Sequence, residues 1–221
     1  LGNAAGVTVA TIEHLMAALR GADVANVRVD IDGPEIPAMD GSAADFLAAL
    51  DQVGTVDQGA PVQVIELTAP VTVQDGDKVV TLTPAPRASF SGAIDYKNPV
   101  IGTQDYAVEL LNGNFRHDIA AARTFGLYEE VAALQSAGLA LGGSLSNAIV
   151  VKQDGEMNPE GLRFTDEFIR HKLLDAIGDL MLAGHPIRAA YRGEKMSHAM
   201  NNALLRKLFA TPEAWRMVRA A

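Results

Sequence analysis

The chain has 221 residues, a formal net charge of −9 and no cysteine. Its length allows one large domain or two small ones, and 48% hydrophobic with 20% charged residues is an ordinary globular composition. The acidic balance argues against nucleic acid as a partner, and no apolar run is long enough to form a transmembrane segment. Without cysteine, disulfides and thiolate-bound metals are excluded, so any zinc must be held by His, Asp or Glu. These features fit a cytoplasmic protein.

The first 59 residues are predicted to hold two helices and one strand. The order is a helix from Thr8 to Leu19 with Thr11 as its N-cap, a half-buried strand from Asn26 to Ile31, and a short helix capped by Ser42. The Gly/Pro-rich run at 54–61 then predicts a domain boundary.

Beyond residue 60, alternating apolar and polar residues predict a sheet formed by VQVIEL, VTVQ, KVVTLTP, ASFSGAIDY and QDYAVEL, with SNAIVV further on. Helices are predicted at 116–122, at 128–137 before Gly138, within 162–186, and at 197–208. Helices interleaved with mostly antiparallel strands indicate the α+β class. Both halves run from strands to paired helices, as in a duplicated unit, but the residues themselves show too little identity to establish a repeat.

The predicted helix within 162–186 is the most informative element. With Thr165 as its cap, it is apolar nearly all round and should therefore be buried. His171 and Asp175 share one face, Asp179 follows one turn later, and Gly178 leaves room for another backbone to approach. Buried ionisable groups are costly unless they are paired or bind a cation, so a metal site is one interpretation. A hydrogen-bonded His/Asp pair on a helix surface is the commoner alternative.

Two further segments can complete such a site. Glu13 and His14 lie in the first turn of their helix about 100° apart, so His14 can bind a metal while Glu13 reaches the bound water. His198 opens the last helix, where Ser197 is a candidate cap. Two histidines and one aspartate leave a fourth position for water, the arrangement of catalytic zinc. For each residue there is an alternative: Glu13 can be an exposed glutamate, His14 a capping histidine, and His198 a surface histidine at a helix terminus.

Six sequence blocks, taken together, resemble a known family. They are TIEHLMAALRG, EIPAMDGSAADF, ARTFG, LGGSLSNAIVV, LRFTDEFIRHKLLDAIGDL and SHAMNN. In order and spacing they strongly resemble the bacterial UDP-3-O-acyl-N-acetylglucosamine deacetylases of lipid A biosynthesis, over essentially all of the chain. The resemblance implies a cytoplasmic hydrolase of Gram-negative bacteria that releases acetate from a UDP-linked acylated amino sugar.

The resemblance also implies a fold. We expect two similar two-layer α/β sandwich domains whose helices pack between the sheets. Residues 1–59 would be the C-terminal part of the first α+β domain, which is incomplete because its opening strands are not present here. Residues 60–221 would be the second, carrying a βαβ insert at about 127–151. A monomer is expected.

Site roles follow from the resemblance, position by position. His14, His171 and Asp175 resemble zinc ligands, and Fe²⁺ can occupy the same set. The implied catalytic groups are Glu13 as general base, His198 as the cation that protonates the leaving amine, Asp179 as the residue orienting it, and Thr124 as a donor to the oxyanion.

Substrate contacts are implied as well. An acyl-chain passage would be lined by Phe125, Val131, Ala140, Leu145 and Val150, and the diphosphate would be met by Lys172 and Lys195. From the residues alone, these are ordinary core residues and solvated lysines. The family usually has Gly where this chain has Ser197, so a side chain there is expected to narrow access to His198 or shift it.

Two other functions stay open at this stage. The first is an inactive fragment, in which Leu15 and Met16 would be exposed by the missing strands and promote association. The second is a different metal-dependent amidohydrolase.

Overall fold

The computed structural model of the protein describes residues 1–138 and 140–220. Its helices are α1 (Glu13–Gly21), α2 (Ala44–Val53), α3 (Tyr128–Ser136), α4 (Glu167–Leu180) and α5 (His198–Ala210). Its strands are β1 (Gln63–Leu67), β2 (Val71–Asp75), β3 (Lys78–Pro84), β4 (Ser89–Asp95), β5 (Thr103–Glu109), β6 (Phe125–Leu127), β7 (Ile149–Val151), β8 (Ile187–Glu194) and β9 (Trp215–Arg219). The predicted α+β class is confirmed.

Strand β8 is the centre of a mixed seven-stranded sheet. It pairs in parallel with β1 and β4 and antiparallel with β3, while β9, β5 and β2 extend the sheet beyond those three neighbours. The sequence analysis missed both β8 and β9. The run IRAAYRGE contains alanine and glycine, which have low strand propensity, and its strand conformation depends on neighbours along both edges.

Helix α4 forms the middle layer of the molecule, between the sheet and α1. Its residues Phe168, Ile169, Leu173, Leu174 and Ile177 are fully or almost fully buried. The predicted burial of this helix is therefore confirmed. The predicted cap is wrong: Asp166 is the N-cap residue, and its side chain makes no capping hydrogen bond.

Contact between α1 and α4 depends on a glycine. A Cβ atom placed on Gly178 would lie 2.0 Å from the carbonyl oxygen of Glu13, so only glycine allows the two backbones to approach this closely. The approach expected at Gly178 is thus found, with α1 as the partner. Thr11 does not cap α1; it adopts a positive φ of 52°, and its hydroxyl donates to Glu35.

The segment before residue 60 departs from prediction in one element. No strand forms at 26–31, where Val27, Val29 and Ile31 are exposed. Alternation alone cannot make a strand without a neighbour to accept its hydrogen bonds, and no strand in the described part of the chain lies beside it. The predicted cap of α2 is wrong as well: Ala43 is the N-cap residue, without a side-chain capping bond, although the Ser42 hydroxyl accepts a hydrogen bond from the Ala44 amide at 3.1 Å.

Strands β6 and β7 pair in parallel with α3 between them, which makes a βαβ unit. It coincides closely with the segment at 127–151 singled out in the sequence, of which residue 139 lies outside the described residues.

Leu15 and Met16 of α1, which an inactive fragment was expected to expose, are half-buried. Among the helices that the structure describes, none is both long and apolar enough to cross a bilayer.

Replacing Gly178 by alanine tests the α1–α4 contact. In an open helix this change would stabilise by about 1 kcal/mol through helix propensity. Here the added methyl group meets the Glu13 backbone, so we expect the free energy of unfolding to fall by about 1–3 kcal/mol and α1 to shift away from α4. Urea unfolding measures this, with Gly33→Ala as a control, since that Cβ would meet nothing within 4 Å. Equal or greater stability of Gly178→Ala would refute the contact.

Candidate metal centre

Helices α1 and α4 bring His14, His171 and Asp175 together. Each residue offers one ligand-type atom, and the three atoms all lie within 4.8 Å of one another. The Asp175 Oδ1 atom is 3.2 Å from His171 Nε2 and 3.8 Å from His14 Nε2. Residues far apart in the chain thus converge on one point, at the spacing that a single cation requires.

The three side chains are buried, and their environment sets their charges. Burial, together with the neighbouring His171 and His198, lowers the pKa of His14 to about 4. Burial by itself would raise the pKa of Asp175, but His171 and Lys172 outweigh it and hold that pKa well below its usual range. At neutral pH the site therefore presents a neutral imidazole and an ionised carboxylate, the forms that bind a divalent metal.

Hydrogen bonding orients the His171 ring. Its Nδ1 atom lies 3.0 Å from the Ala122 carbonyl oxygen, and because a carbonyl only accepts, Nδ1 carries the proton. The other ring nitrogen, Nε2, faces Asp175. His14 likewise presents Nε2 to Asp175, while its Nδ1 is buried with no hydrogen-bond partner in the part of the chain that the structure describes. Both imidazoles thus turn Nε2 toward the same carboxylate, which fits a metal site.

Two acid–base groups face this cluster. His198 Nε2 lies 3.9 Å from Glu13 Oε1 and 4.0 Å from Asp175 Oδ2, and the His198 side chain is 52% exposed. Its Nδ1 atom is bonded to the Asp179 carboxylate at 2.9–3.0 Å. That hydrogen bond outweighs partial burial and raises the pKa of His198 to about 9, with further help from the charges of Asp175 and Glu13. His198 is therefore protonated at neutral pH.

Behind Asp179 lies a buried chain of hydrogen bonds that the sequence analysis missed. Asn201 donates from Nδ2 to Asp179 Oδ2 at 2.8 Å and accepts at Oδ1 from the Tyr191 hydroxyl at 2.7 Å. Asn201 follows His198 by three residues on α5, so helical spacing was the available signal. Ser197 caps this helix, as expected, by accepting from the Met200 amide. The Asp179–His198 pair is thus held from both sides.

Aromatic and basic groups predicted to meet substrate divide into two sets. Near the cluster, the Phe125 ring centre lies 6.4 Å from that of His171, with Lys172 Nζ 5.6 Å from the Phe125 ring centre. Lys172 also donates to Asp175 Oδ2 at 2.9 Å. Thr124 is held by its backbone, whose amide donates to Gly41 and whose carbonyl accepts from the Ile149 amide.

The second set contains Lys195 and four further residues. Lys195 forms ion pairs with Asp77 and Asp95, at 2.7 and 3.6 Å. The other four residues belong to the βαβ unit and its connections: Val131 and Val150 are half-buried, whereas Ala140 and Leu145 are exposed.

Comparison with known proteins gives a consistent match. The family model described as LpxC, UDP-3-O-acyl N-acetylglycosamine deacetylase, matches residues 1–210. A UDP-3-O-acyl-N-acetylglucosamine deacetylase of Phenylobacterium zucineum (strain HLK1) is 51% identical over 217 residues, covering 98% of this chain and 74% of that protein. Enzymes with the same name from Acidithiobacillus ferrooxidans and Myxococcus xanthus are 48% and 47% identical, covering 96% and 97% of this chain and 70% and 68% of their own lengths.

These matches agree with the arrangement of α1 and α4, because the six sequence blocks that carry the resemblance include the residues that the fold brings together. His14, His171 and Asp175 form a buried group that can hold a metal ion. The chain therefore belongs to the UDP-3-O-acyl N-acetylglycosamine deacetylase family.

Proposed function

We propose that this chain hydrolyses the N-acetyl group of UDP-3-O-acyl-N-acetylglucosamine and releases acetate, as a cytoplasmic, monomeric enzyme of lipid A biosynthesis. This substrate is the one in the names of its relatives, which are UDP-3-O-acyl-N-acetylglucosamine deacetylases. The observation that carries the proposal is the buried His14, His171 and Asp175 group with Glu13 and His198 facing it.

The donor set fits zinc, held by His14, His171 and Asp175, and Fe²⁺ fits the same ligands. When bound there, the metal would polarise the acetamide carbonyl and lower the pKa of the attacking water. The ring nitrogens that face this point are His14 Nε2, 3.8 Å from Asp175 Oδ1, and His171 Nε2, which the Ala122 carbonyl directs there.

The chain's own residues move the protons. Glu13 is the general base: its carboxylate takes a proton from the attacking water as the new carbon–oxygen bond forms. The Thr124 hydroxyl donates a hydrogen bond to the developing oxyanion. His198, held protonated by Asp179, gives a proton to the amine nitrogen as the carbon–nitrogen bond breaks. The products are acetate and the free amino sugar.

Substrate binding is proposed for the groups around this centre. Lys172, beside the Phe125 ring, and Lys195 supply positive charge for the diphosphate in an otherwise acidic protein. The acyl chain is proposed to lie along Phe125 and the βαβ unit, where exposed Leu145 and half-buried Val131 and Val150 offer apolar surface. Ala140 belongs to the same surface.

Replacing Glu13 by alanine separates the base from the ligands. We expect turnover to fall about a hundredfold or more, because a positioned general base typically contributes that much. Zinc content should stay near one ion per chain, as Glu13 is not in the ligand set. Acetate release and metal content are measured on the same preparation. Lost zinc would make Glu13 a ligand instead.

For His171→Ala the expected order is reversed. Removing this imidazole leaves two ligands, so zinc should be lost first and activity with it. The matched control is His117→Ala, a histidine outside the cluster, which should keep both zinc and activity. Full zinc occupancy in purified His171→Ala protein would exclude His171 from the ligand set.

The charge on Asp179 sets the alkaline side of the pH profile. His198 acts as an acid only when protonated, so kcat/KM should fall as the pH rises through about 9 in the wild type. Asp179→Asn removes the hydrogen-bonded carboxylate that raises this pKa, which then falls toward its ordinary value of about 6.5. We expect the falling limb to move to lower pH. Asp23→Asn, an exposed carboxylate on α1's C-terminal side, should leave it in place; an unmoved limb in Asp179→Asn would refute the assignment.

A further inference from the structure

Residues 122–124, here called the strap, carry two groups that the site uses. The Ala122 carbonyl accepts the proton of His171 Nδ1, which directs Nε2 toward Asp175. Thr124, two residues later, is the proposed oxyanion donor. The strap is not part of a helix, and both groups must keep their places relative to α4. Between them lies Arg123, whose side chain is 3% exposed.

Arg123 is bonded to a single carboxylate three times. Its backbone amide and its Nε atom donate to Glu167 Oε1 at 3.0 and 2.9 Å, and its Nη2 donates to Oε2 at 3.2 Å. The guanidinium also donates to Glu160 at 2.6 Å and to the Gly161 carbonyl at 2.7 Å. The Glu167 side chain is 0% exposed. A planar fork on a carboxylate fixes direction as well as distance.

Glu167 lies in the first turn of α4, four residues before His171 and hence on the same face. The strap is thus fastened to α4 at two points one helical turn apart, Arg123 to Glu167 and Ala122 to His171. A single bond at His171 would let the strap pivot. The second point removes that freedom on the α4 side and, together with the backbone bonds of Thr124 to Gly41 and Ile149, places Thr124 beside the helix that carries His171 and Asp175.

Stability alone does not explain this arrangement. A buried ion pair is often no more stabilising than well-packed apolar residues of similar volume, because both charges lose their hydration. Other bonds also hold the strap: the Thr124 amide donates to the Gly41 carbonyl and, just before the strap, Arg163 donates to the Ala121 carbonyl. Loss of the Arg123–Glu167 pair would therefore loosen the strap's position without releasing it.

We propose that Arg123 and Glu167 are positioning residues: together they clamp the strap to α4, so that the Ala122 carbonyl orients His171 and Thr124 faces the reacting carbonyl. Neither residue belongs to the group that can hold a metal ion or to the proposed acid–base groups. The inference on Thr124 rests on the proposed function, whereas the inference on His171 concerns metal affinity alone. The pair was not singled out by the sequence.

Two variants test the clamp. Arg123→Lys keeps the buried positive charge but cannot form the fork. The double variant Arg123→Met/Glu167→Gln removes both charges, so that no unpaired ion is left buried, and keeps an oxygen at residue 167. We expect both to bind Zn²⁺ about tenfold or more weakly than the wild type, the range typical for groups that orient a metal ligand. We expect kcat to fall while KM stays within about twofold.

Zinc affinity is measured by competition with a chelator, without substrate, well below the melting temperature of each variant. The control is Leu82→Ala, a core truncation in β3 that lowers the melting temperature away from the strap and should keep zinc affinity and kcat. Wild-type zinc affinity and kcat in either folded variant would overturn the clamp. A wild-type chain that binds zinc but releases no acetate would instead refute the proposed function, while the predicted effect of the clamp on zinc affinity through His171 would be unaffected.

Discussion

The site depends on one close contact, the approach of the first turn of α1 to the middle of α4 at Gly178. On its other side α4 packs against the sheet, which holds it in place. Any side chain at residue 178 would collide with the Glu13 backbone, so glycine sets the distance between the two helices. At that distance His14 reaches the atoms of His171 and Asp175. The absence of a side chain at residue 178 therefore links the packing of the core to the geometry of the site.

Placing ionisable groups in this layer has an energetic cost. An isolated buried charge is destabilising, and breaking a buried pair typically costs about 3–5 kcal/mol. Asp175 offsets this cost through several partners at once: His171, Lys172 and, at longer range, His14 and His198. The buried His14 stays neutral, and its Nδ1 has no partner among the described residues. This buried group can hold a metal ion, which would offset part of the cost.

The sequence predicted the parts of this arrangement that are local in the chain. Helical spacing placed His171, Asp175 and Gly178 on one face, and the apolar surroundings predicted that α4 is buried. It could not supply β8, because alanine and glycine form a strand there only through neighbours distant in sequence. Nor could it pair Arg123 with Glu167 or Asn201 with Asp179, since those contacts arise where separate segments meet. The strand expected at 26–31 does not form, because no strand among the described residues pairs with that segment.

Two histidines of this site, His14 and His198, both lie within 4.0 Å of Asp175, yet at neutral pH His14 is neutral and His198 is protonated. The difference comes from what else surrounds them. His14 is enclosed and has no second carboxylate bonded to its ring, so loss of hydration dominates and its pKa falls to about 4. His198 is half-exposed and bonded to Asp179, so the ionic hydrogen bond dominates and its pKa rises to about 9. Environments that push the pKa values of two like groups apart in this way suit them to different tasks: a neutral His14 can offer a lone pair, and a protonated His198 can offer a proton.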